Sequence, residues 1–342
     1  MASVKSWLKF VVHSVLAGYA FLRIKSLLRP TLIILTYHRV LPTKDQHRDS
    51  EQPGMVVSPQ LFQLHLRTMQ RLGATFMHLD DWIALDQEGK PVPKLTVAVT
   101  FDDGWRDNYE HAYPILHQQK VPFTIFLVTN AIGQGQAFWP ERVMQLVMNH
   151  GALTIDRPEF DWLRPHLTGL PLAERPLTRE EADRVVSNLK QLDDQSIIAG
   201  LETTSLARTD PATDSPRRVI LDLNELQEMH ASGLAHYGGH TRHHFRLNRL
   251  NSTHALMDEI AGCQQDLQAL KLQPAKTFCY PNGDISEYGE VLVRQHFHGA
   301  CTTRSGCNAS GCDPFTLKRY NLHDNNSGSA RSFLATLGRG LL

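Results

Sequence analysis

Five short apolar runs frame this chain: residues 32–37 (LIILTY), 95–101 (LTVAVTF), 122–129 (PFTIFLVT), 235–239 (AHYGG) and 277–280 (TFCY). Runs of four to eight apolar or β-branched residues without strict alternation suit strands whose two faces are both buried. Between them lie segments with helical spacing. Residues 59–72 follow Ser58, which can cap a helix. Within 250–270, behind Asn251 and Ser252, the apolar positions Ala255, Leu256, Ile260, Cys263, Leu267 and Leu270 recur at helical intervals. Strands alternating with helices build βαβ units, so the pattern predicts an α/β fold with a mostly parallel sheet in a barrel-like arrangement. A chain of 342 residues holds one large barrel or two ordinary domains.

Two segments depart from that rhythm. Residues 138–218 open with FWPERVMQLV and contain several prolines. They also carry a helix predicted over 178–192, opened by the capping-box pattern Thr178-Arg179-Glu180-Glu181. The polar run 205–217 (SLARTDPATDSPR) reads as an exposed loop. The whole stretch is expected to be a mostly helical insertion into a domain spanning 31–335. At the N-terminus, the 13 residues 10–22 (FVVHSVLAGYAFL) lie between Lys5/Lys9 and Arg23/Lys25. That is shorter than the roughly 20 residues of a membrane-spanning helix. Residues 1–30 are expected to form an amphipathic helix packed on the domain or resting on a membrane surface.

Lys plus Arg equals Asp plus Glu at 35 each, so no net field marks a nucleic-acid partner. The five cysteines, Cys263, Cys279, Cys301, Cys307 and Cys312, form no CxxC pair, and their odd number forbids full pairing. Reduced thiols and the lack of a clear cleavage site favour a cytoplasmic location, at the inner membrane face if the N-terminal helix binds there. A signal-anchor reading of residues 7–29 would instead put the domain outside.

Three constellations carry chemistry. Thr100-Phe101-Asp102-Asp103-Gly104 closes the run 95–101 and sets two carboxylates at a strand end, where parallel α/β sheets gather their active sites. Neighbouring side chains point in different directions, so one can bind metal while the other accepts a proton. Gly238-Gly239-His240-Thr241-Arg242-His243-His244 places His240 and His244 four residues apart, on one turn, where a single cation can take both. With one aspartate they make an open three-ligand site. Phe278-Cys279-Tyr280-Pro281-Asn282-Gly283-Asp284 is a strand running into a turn that exposes backbone N–H groups suited to an oxyanion.

TFDDG, HTxxH and a YPNG turn in this order, after an opening LTYHRV at 35–40, resemble the NodB-homology polysaccharide deacetylases, carbohydrate esterase family 4. The resemblance spans roughly residues 31–325. It implies a distorted (β/α) barrel and a hydrolase that removes an N-acetyl group from an N-acetylhexosamine glycan or its lipid-linked precursor. It further implies Asp103, His240 and His244 as metal ligands and Asp102 as the base that deprotonates the metal's water. Thr241 would brace the histidine loop through its hydroxyl, and Asn282 would offer the oxyanion-contacting amide beside Tyr280. Zinc suits two histidines and one aspartate best, and cobalt, nickel or iron tolerate the same set. The family commonly carries an arginine in the third motif where this chain has Cys279, and Arg319 is offered as its substitute in space. His323, within Leu322-His323, matches the family's acid. His38 competes with it and would line the pocket. Trp105, Asp107 and Tyr109 are expected near the mouth of the site, and Phe138 and Trp139 in a groove or in the core of the insertion. Two other readings stay open: an amidase on a non-polysaccharide substrate, and a catalytically silent sugar-binding relative.

Overall fold

The computed structural model describes residues 2–151, 157–171, 175–204, 219–273 and 275–341. Its centre is a curled sheet of parallel strands: β1 (Thr31–Tyr37), β2 (Leu95–Phe101), β3 (Phe123–Leu127), β4 (Ala235–Gly239), β5 (Thr277–Cys279) and β6 (Gly299–Cys301), hydrogen-bonded in that order. Every residue of β1, β2 and β3 is buried, which is why those runs are apolar on both faces. The first two strands pair from Thr31 opposite Leu95 to Tyr37 opposite Phe101. Gly238 is needed for close approach, because a Cβ there would lie 2.6 Å from the Phe126 ring and 2.7 Å from the Thr277 carbonyl.

The strand bounds differ slightly from the apolar runs. Residue 122 is proline, with no N–H for a ladder, and β3 begins after it. Other strands are too short to show a pattern: β6, Thr75–Phe76, Asn308–Ala309 and Tyr320–Asn321. The last of these matters most. Leu317 bridges to Cys301 of β6, and Tyr320–Asn321 pairs in parallel with Leu35 and Thr36 of β1. One segment thus crosses the gap between the two ends of the curled sheet.

Strand periodicity explains what faces the interior. Leu32 and Ile34 of β1 pack with Ala98, Phe126, Cys279, Cys301 and Leu317. The same alternating line continues through Thr36 and Thr100, whose hydroxyls meet at 2.8 Å, to His38 and Asp102 at the strand ends. The alternate residues, including Ile33, Leu35, Val97, Val99, Ile125 and Leu127, join the outer core under the helices.

The expected helices form at Pro59–Arg71 and across 253–269. Ser58 makes no capping bond, Pro59 starting that helix instead. Ser252 does cap, accepting from Ala255 N at 3.1 Å. A π-turn, Asp258–Gly262, interrupts the second helix. Within 138–218, the helices Trp139–His150, Arg179–Leu189 and Asp194–Thr203 share a small core of their own around Val143, Phe160, Val185 and Ile197. Thr178 opens one of them with a full capping box. The polar run 205–217 lies outside the described residues. The N-terminal helix Ala2–Lys25 packs along the C-terminal helix Ala330–Arg339, with Ala20 and Ile24 buried and Tyr19 donating to the Leu341 carbonyl at 3.0 Å. All five cysteines are free.

Behind β1, His65 is fully buried, stacked on Phe333 at 4.5 Å, between the Tyr37 hydroxyl (3.2 Å) and the Ser327 carbonyl (2.8 Å). Burial pushes its imidazole down from 6.5 to about 4, so it is neutral in the fold. Below 6.5 the unfolded chain takes up a proton that the folded one refuses. Stability is therefore whole above that value and falls as pH drops towards about 4, by about 3 kcal/mol in all. Denaturant titrations across this window should show that slope in the wild type and a flatter profile in His65→Phe. Equal slopes would assign the pH dependence elsewhere.

Candidate active site

The three constellations converge at the C-terminal mouth of the sheet, in a cavity of about 400 Å³. Its lining includes Thr36, His38, Asp102, Asp103, His240, His244, Tyr280, Asn282 and Arg319. Asp102 and Asp103 follow β2 directly. Asp102 N donates to the Tyr37 carbonyl at 3.0 Å, so the β1–β2 ladder extends to the first carboxylate. Asp103 then turns into the left-handed region at φ 74°, which swings its side chain towards the histidines.

Asp103 Oδ1 lies 3.3 Å from His240 Nε2 and 3.4 Å from His244 Nε2. His240 Nδ1 donates to the Cys279 carbonyl at 2.7 Å, which turns Nε2 towards Asp103; burial would lower this imidazole, but Cys279 and the hydrogen bond with Asp103 hold it well above its usual value. Burial pushes the His244 imidazole down to about 4, so it is neutral near pH 7. Burial would raise the Asp103 carboxyl, but the hydrogen bond with His240 and the nearness of the His244 ring hold it well below the usual range. Two imidazole nitrogens and one carboxylate oxygen facing one another form the donor set of a divalent cation, which would displace any proton between them. The residues fit the metal that the sequence implies.

The histidine pair does not sit on one helical turn. His240 follows β4, its N donating to the Leu127 carbonyl at 2.9 Å, and the chain then loops through Thr241 and His244, both at positive φ. Among the described residues, six non-glycine positions have positive φ, and four of them, Asp103, Thr241, His244 and Asn282, belong to this site. Each costs of order 1–3 kcal/mol, so surrounding contacts must hold the loop. The Thr241 hydroxyl is not one of them: it is buried without a partner, which corrects the bracing role expected of it. Glu259, from the π-turn, does that work. Its carboxylate accepts from Arg242 N (3.0 Å), His243 N (2.9 Å) and His243 Nδ1 (2.6 Å).

Asp102 is held by Arg319, whose Nη1 and Nη2 donate to its two oxygens at 2.7 and 2.9 Å. Burial pushes this carboxyl up, but the Arg319 charge and then the His38 ring outweigh it and keep it below the ordinary carboxylate range. Arg319 rides on the segment that closes the sheet, and its Nε donates to the Thr302 carbonyl at 2.9 Å. Cys279, where the third motif lacks its arginine, lays its sulfur 3.6 Å from Asp102 Oδ2. The substitute offered by the sequence therefore makes the contact in space.

His38 Nε2 lies 3.7 Å from Asp102 Oδ2, and its Nδ1 is unpartnered. His323 is not among the lining residues; its ring packs against Gly54. Asn282 sits at φ 53° in the 3₁₀ turn Pro281–Gly283. The turn's own bonds run from Gly283 N and Asp284 N, and the Asn282 N–H takes part in neither. Tyr280 is buried with its hydroxyl unpartnered.

Trp105 is not at the mouth of the site. It is buried beneath Asp103, donating Nε1 to Oδ2 at 2.9 Å, with the Arg39 guanidinium 4.1 Å from its ring centroid. Asp107 is buried too, accepting from Arg39 at 2.6 Å, and Tyr109 bonds Glu228 away from the cavity. Phe138 does line the cavity, 5.1 Å from the His244 ring, while Trp139 both lines it and packs into the helical core. A further clamp had no sequence signal. Asp194 accepts from Arg246 N (2.8 Å), Arg246 Nε (2.9 Å) and Trp139 Nε1 (3.0 Å), tying the helices of 138–218 to the chain just after His244.

Comparisons with known proteins agree with this geometry. The family described as polysaccharide deacetylase matches residues 89–194 and 203–296, more than half of the chain. A poly-β-1,6-N-acetyl-D-glucosamine N-deacetylase of Staphylococcus epidermidis is 33% identical over 109 residues, 30% of this chain and 37% of that protein. Its Staphylococcus aureus counterpart is 30% identical over the same length and shares. The chain thus spans less than half the length of these curated relatives. Among solved structures, a deacetylase of Streptococcus pyogenes in complex with acetate superposes with a TM-score of 0.58 at 17% identity, covering 90% of this chain and 99% of that one. IcaB from Ammonifex degensii gives 0.55 at 18% identity, covering 90% and 97%. At these identities the structural likeness speaks for the fold. The extent of the family match, over the same motifs that build the cavity, makes this chain a member of the polysaccharide deacetylase family.

Proposed function

We propose that this protein is a metal-dependent deacetylase that hydrolyses the N-acetyl group of an N-acetylhexosamine-containing polysaccharide or its lipid-linked precursor. One observation carries the reading: Asp102, ionised and fixed bidentately by Arg319, opens into the same cavity as the Asp103–His240–His244 donor set. A site that only bound sugar would have no use for a second oriented carboxylate there. The N-acetylglucosamine polymer named for the staphylococcal relatives supports the substrate class.

A divalent cation, best zinc, would be held by Asp103, His240 and His244 and would supply Lewis acidity, bringing water to a pKa near about 7. The remaining work falls to the chain. Asp102 takes the proton from the attacking water, and Arg319 keeps the carboxylate ionised and in one orientation. The Asn282 N–H, left out of the turn's own bonds in a residue that lines the cavity, would donate to the developing oxyanion, whereas the Tyr280 ring packs in the core beside Leu292 and Val293. An amide anion leaves poorly, so the nitrogen must be protonated as it departs. Of the two histidines weighed for that step, His38 is the one we assign, supported by its position in the lining 3.7 Å from Asp102, whereas His323 is not in the lining. Phe138 offers a ring face beside His244 on which a sugar can stack.

Acetate release from N-acetylglucosamine oligomers by the zinc-loaded enzyme should fall about 10²–10⁴-fold in Asp102→Asn while metal stays bound. Undiminished release in that variant, or none from the wild type on any N-acetylated glycan, would contradict the reading. Trp105→Phe keeps the ring under Arg39 but removes the N–H that orients Asp103. Competition against a chromophoric chelator should show metal affinity weakened about 10–100-fold, and unchanged affinity would make Trp105 a space-filler.

A further inference from the structure

The chain is neutral as a whole, yet its charges are not evenly spread. The helices Ala2–Lys25, Pro59–Arg71 and Ala330–Arg339 stand together on one flank, the first packed on the third and the third touching the second. None of them contains an aspartate or glutamate, and no acidic residue precedes Asp45 anywhere in the sequence. Their cations include Lys9, Arg23, Arg67, Arg71, Arg331 and Arg339, all exposed.

An apolar ridge runs along the same flank. Residues 8, 12, 15 and 22 are spaced to share one helix face, and Leu8, Val12, Val15 and Leu22 are all exposed, the last two at 67% and 66%. Trp7 stands beside them at 65%. The opposite side of the helix is already committed to the domain. Ala20 and Ile24 are buried there, and a Cβ on Gly338 would lie 2.5 Å from the Leu16 carbonyl. The residues of the outer ridge are exposed and belong to none of the packed hydrophobic clusters among the described residues.

We propose that this flank docks on an anionic phospholipid bilayer. The helix Ala2–Lys25 lies in the plane of the interface, its ridge in the acyl boundary and the basic residues of the three helices against lipid phosphates. Charge complementarity selects this occupant. A second copy of the chain would set two acid-free basic flanks face to face, which repel. The stretch Ser6–Lys25 is long enough to span a bilayer, but spanning would strip away the Tyr19–Leu341 bond and the burial of Ala20 and Ile24.

Vesicle flotation of the full chain tests this independently of catalysis. Binding to phosphatidylcholine vesicles containing phosphatidylglycerol should exceed binding to phosphatidylcholine alone by about tenfold or more and fall as salt rises. Val15→Glu and Leu22→Glu, on exposed positions, should lose that binding with the wild-type melting temperature retained. Arg331→Glu with Arg339→Glu should erase the preference for anionic lipid. Four results would overturn the proposal. These are indifference to lipid charge, full binding by the glutamate variants, a wild-type dimer that Leu22→Glu dissociates without any vesicle binding, and resistance of membrane-bound protein to alkaline carbonate extraction.

Discussion

The ion pair between Arg319 and Asp102 is the contact on which the rest of the site depends. Both groups are almost completely buried, and a lone buried charge is costly, so each is tolerable only because the other is there. The guanidinium grips both carboxylate oxygens, which fixes the direction as well as the charge of Asp102. Arg319 reaches it from the segment that joins Cys301 of the last strand to Leu35 and Thr36 of the first. Closing the sheet and orienting Asp102 are therefore one event. Cys279 is small enough to leave the guanidinium its place, where a long side chain in the third motif would compete for it.

The Asp103–His240–His244 group rests on a different device. Asp103, Thr241, His244 and Asn282 all adopt left-handed backbone, a conformation that side chains oppose and that persists only when neighbours over-determine it. Those neighbours come from three directions. Trp105 fixes the free oxygen of Asp103 from below, Glu259 takes the two amides of the histidine loop, and Asp194 binds Arg246 just beyond it. The last contact gives the helices of 138–218 a role in the site: they pin the end of the histidine loop and set Phe138 beside His244. The basic flank lies apart from all this, on the N- and C-terminal helices, so attachment to a bilayer would leave the cavity's residues untouched.

Much of this architecture was legible in the residues because burial on both faces leaves an unbroken apolar run. The segments 32–37 and 95–101 announced β1 and β2 almost to the residue, and the carboxylates and histidines stood at the ends of such runs. The illegible parts are those that depend on distant partners. The two-residue strand Tyr320–Asn321 has no periodicity of its own, so sheet closure was hidden. Glu259 reads as an ordinary position on a helix, and nothing local says that a π-turn aims it at a loop sixteen residues earlier. Trp105 and Asp107 looked like mouth residues because they follow TFDDG, yet each is buried against the guanidinium of Arg39 from another element. Thr241 stands next to His240, but its hydroxyl finds no partner and the Glu259 carboxylate does the bracing. The even balance of charge over the whole chain likewise concealed a flank without acids.

A double-mutant cycle on acetate release tests the central claim most directly, using Asp102→Asn, Arg319→Met and the pair, each with metal content and melting temperature measured. If Arg319 acts through Asp102, removing it should reduce kcat/KM strongly in the wild type and hardly at all once Asp102 is asparagine. Losses that simply multiply would show that the arginine serves the fold or the substrate independently, and that something else orients the base.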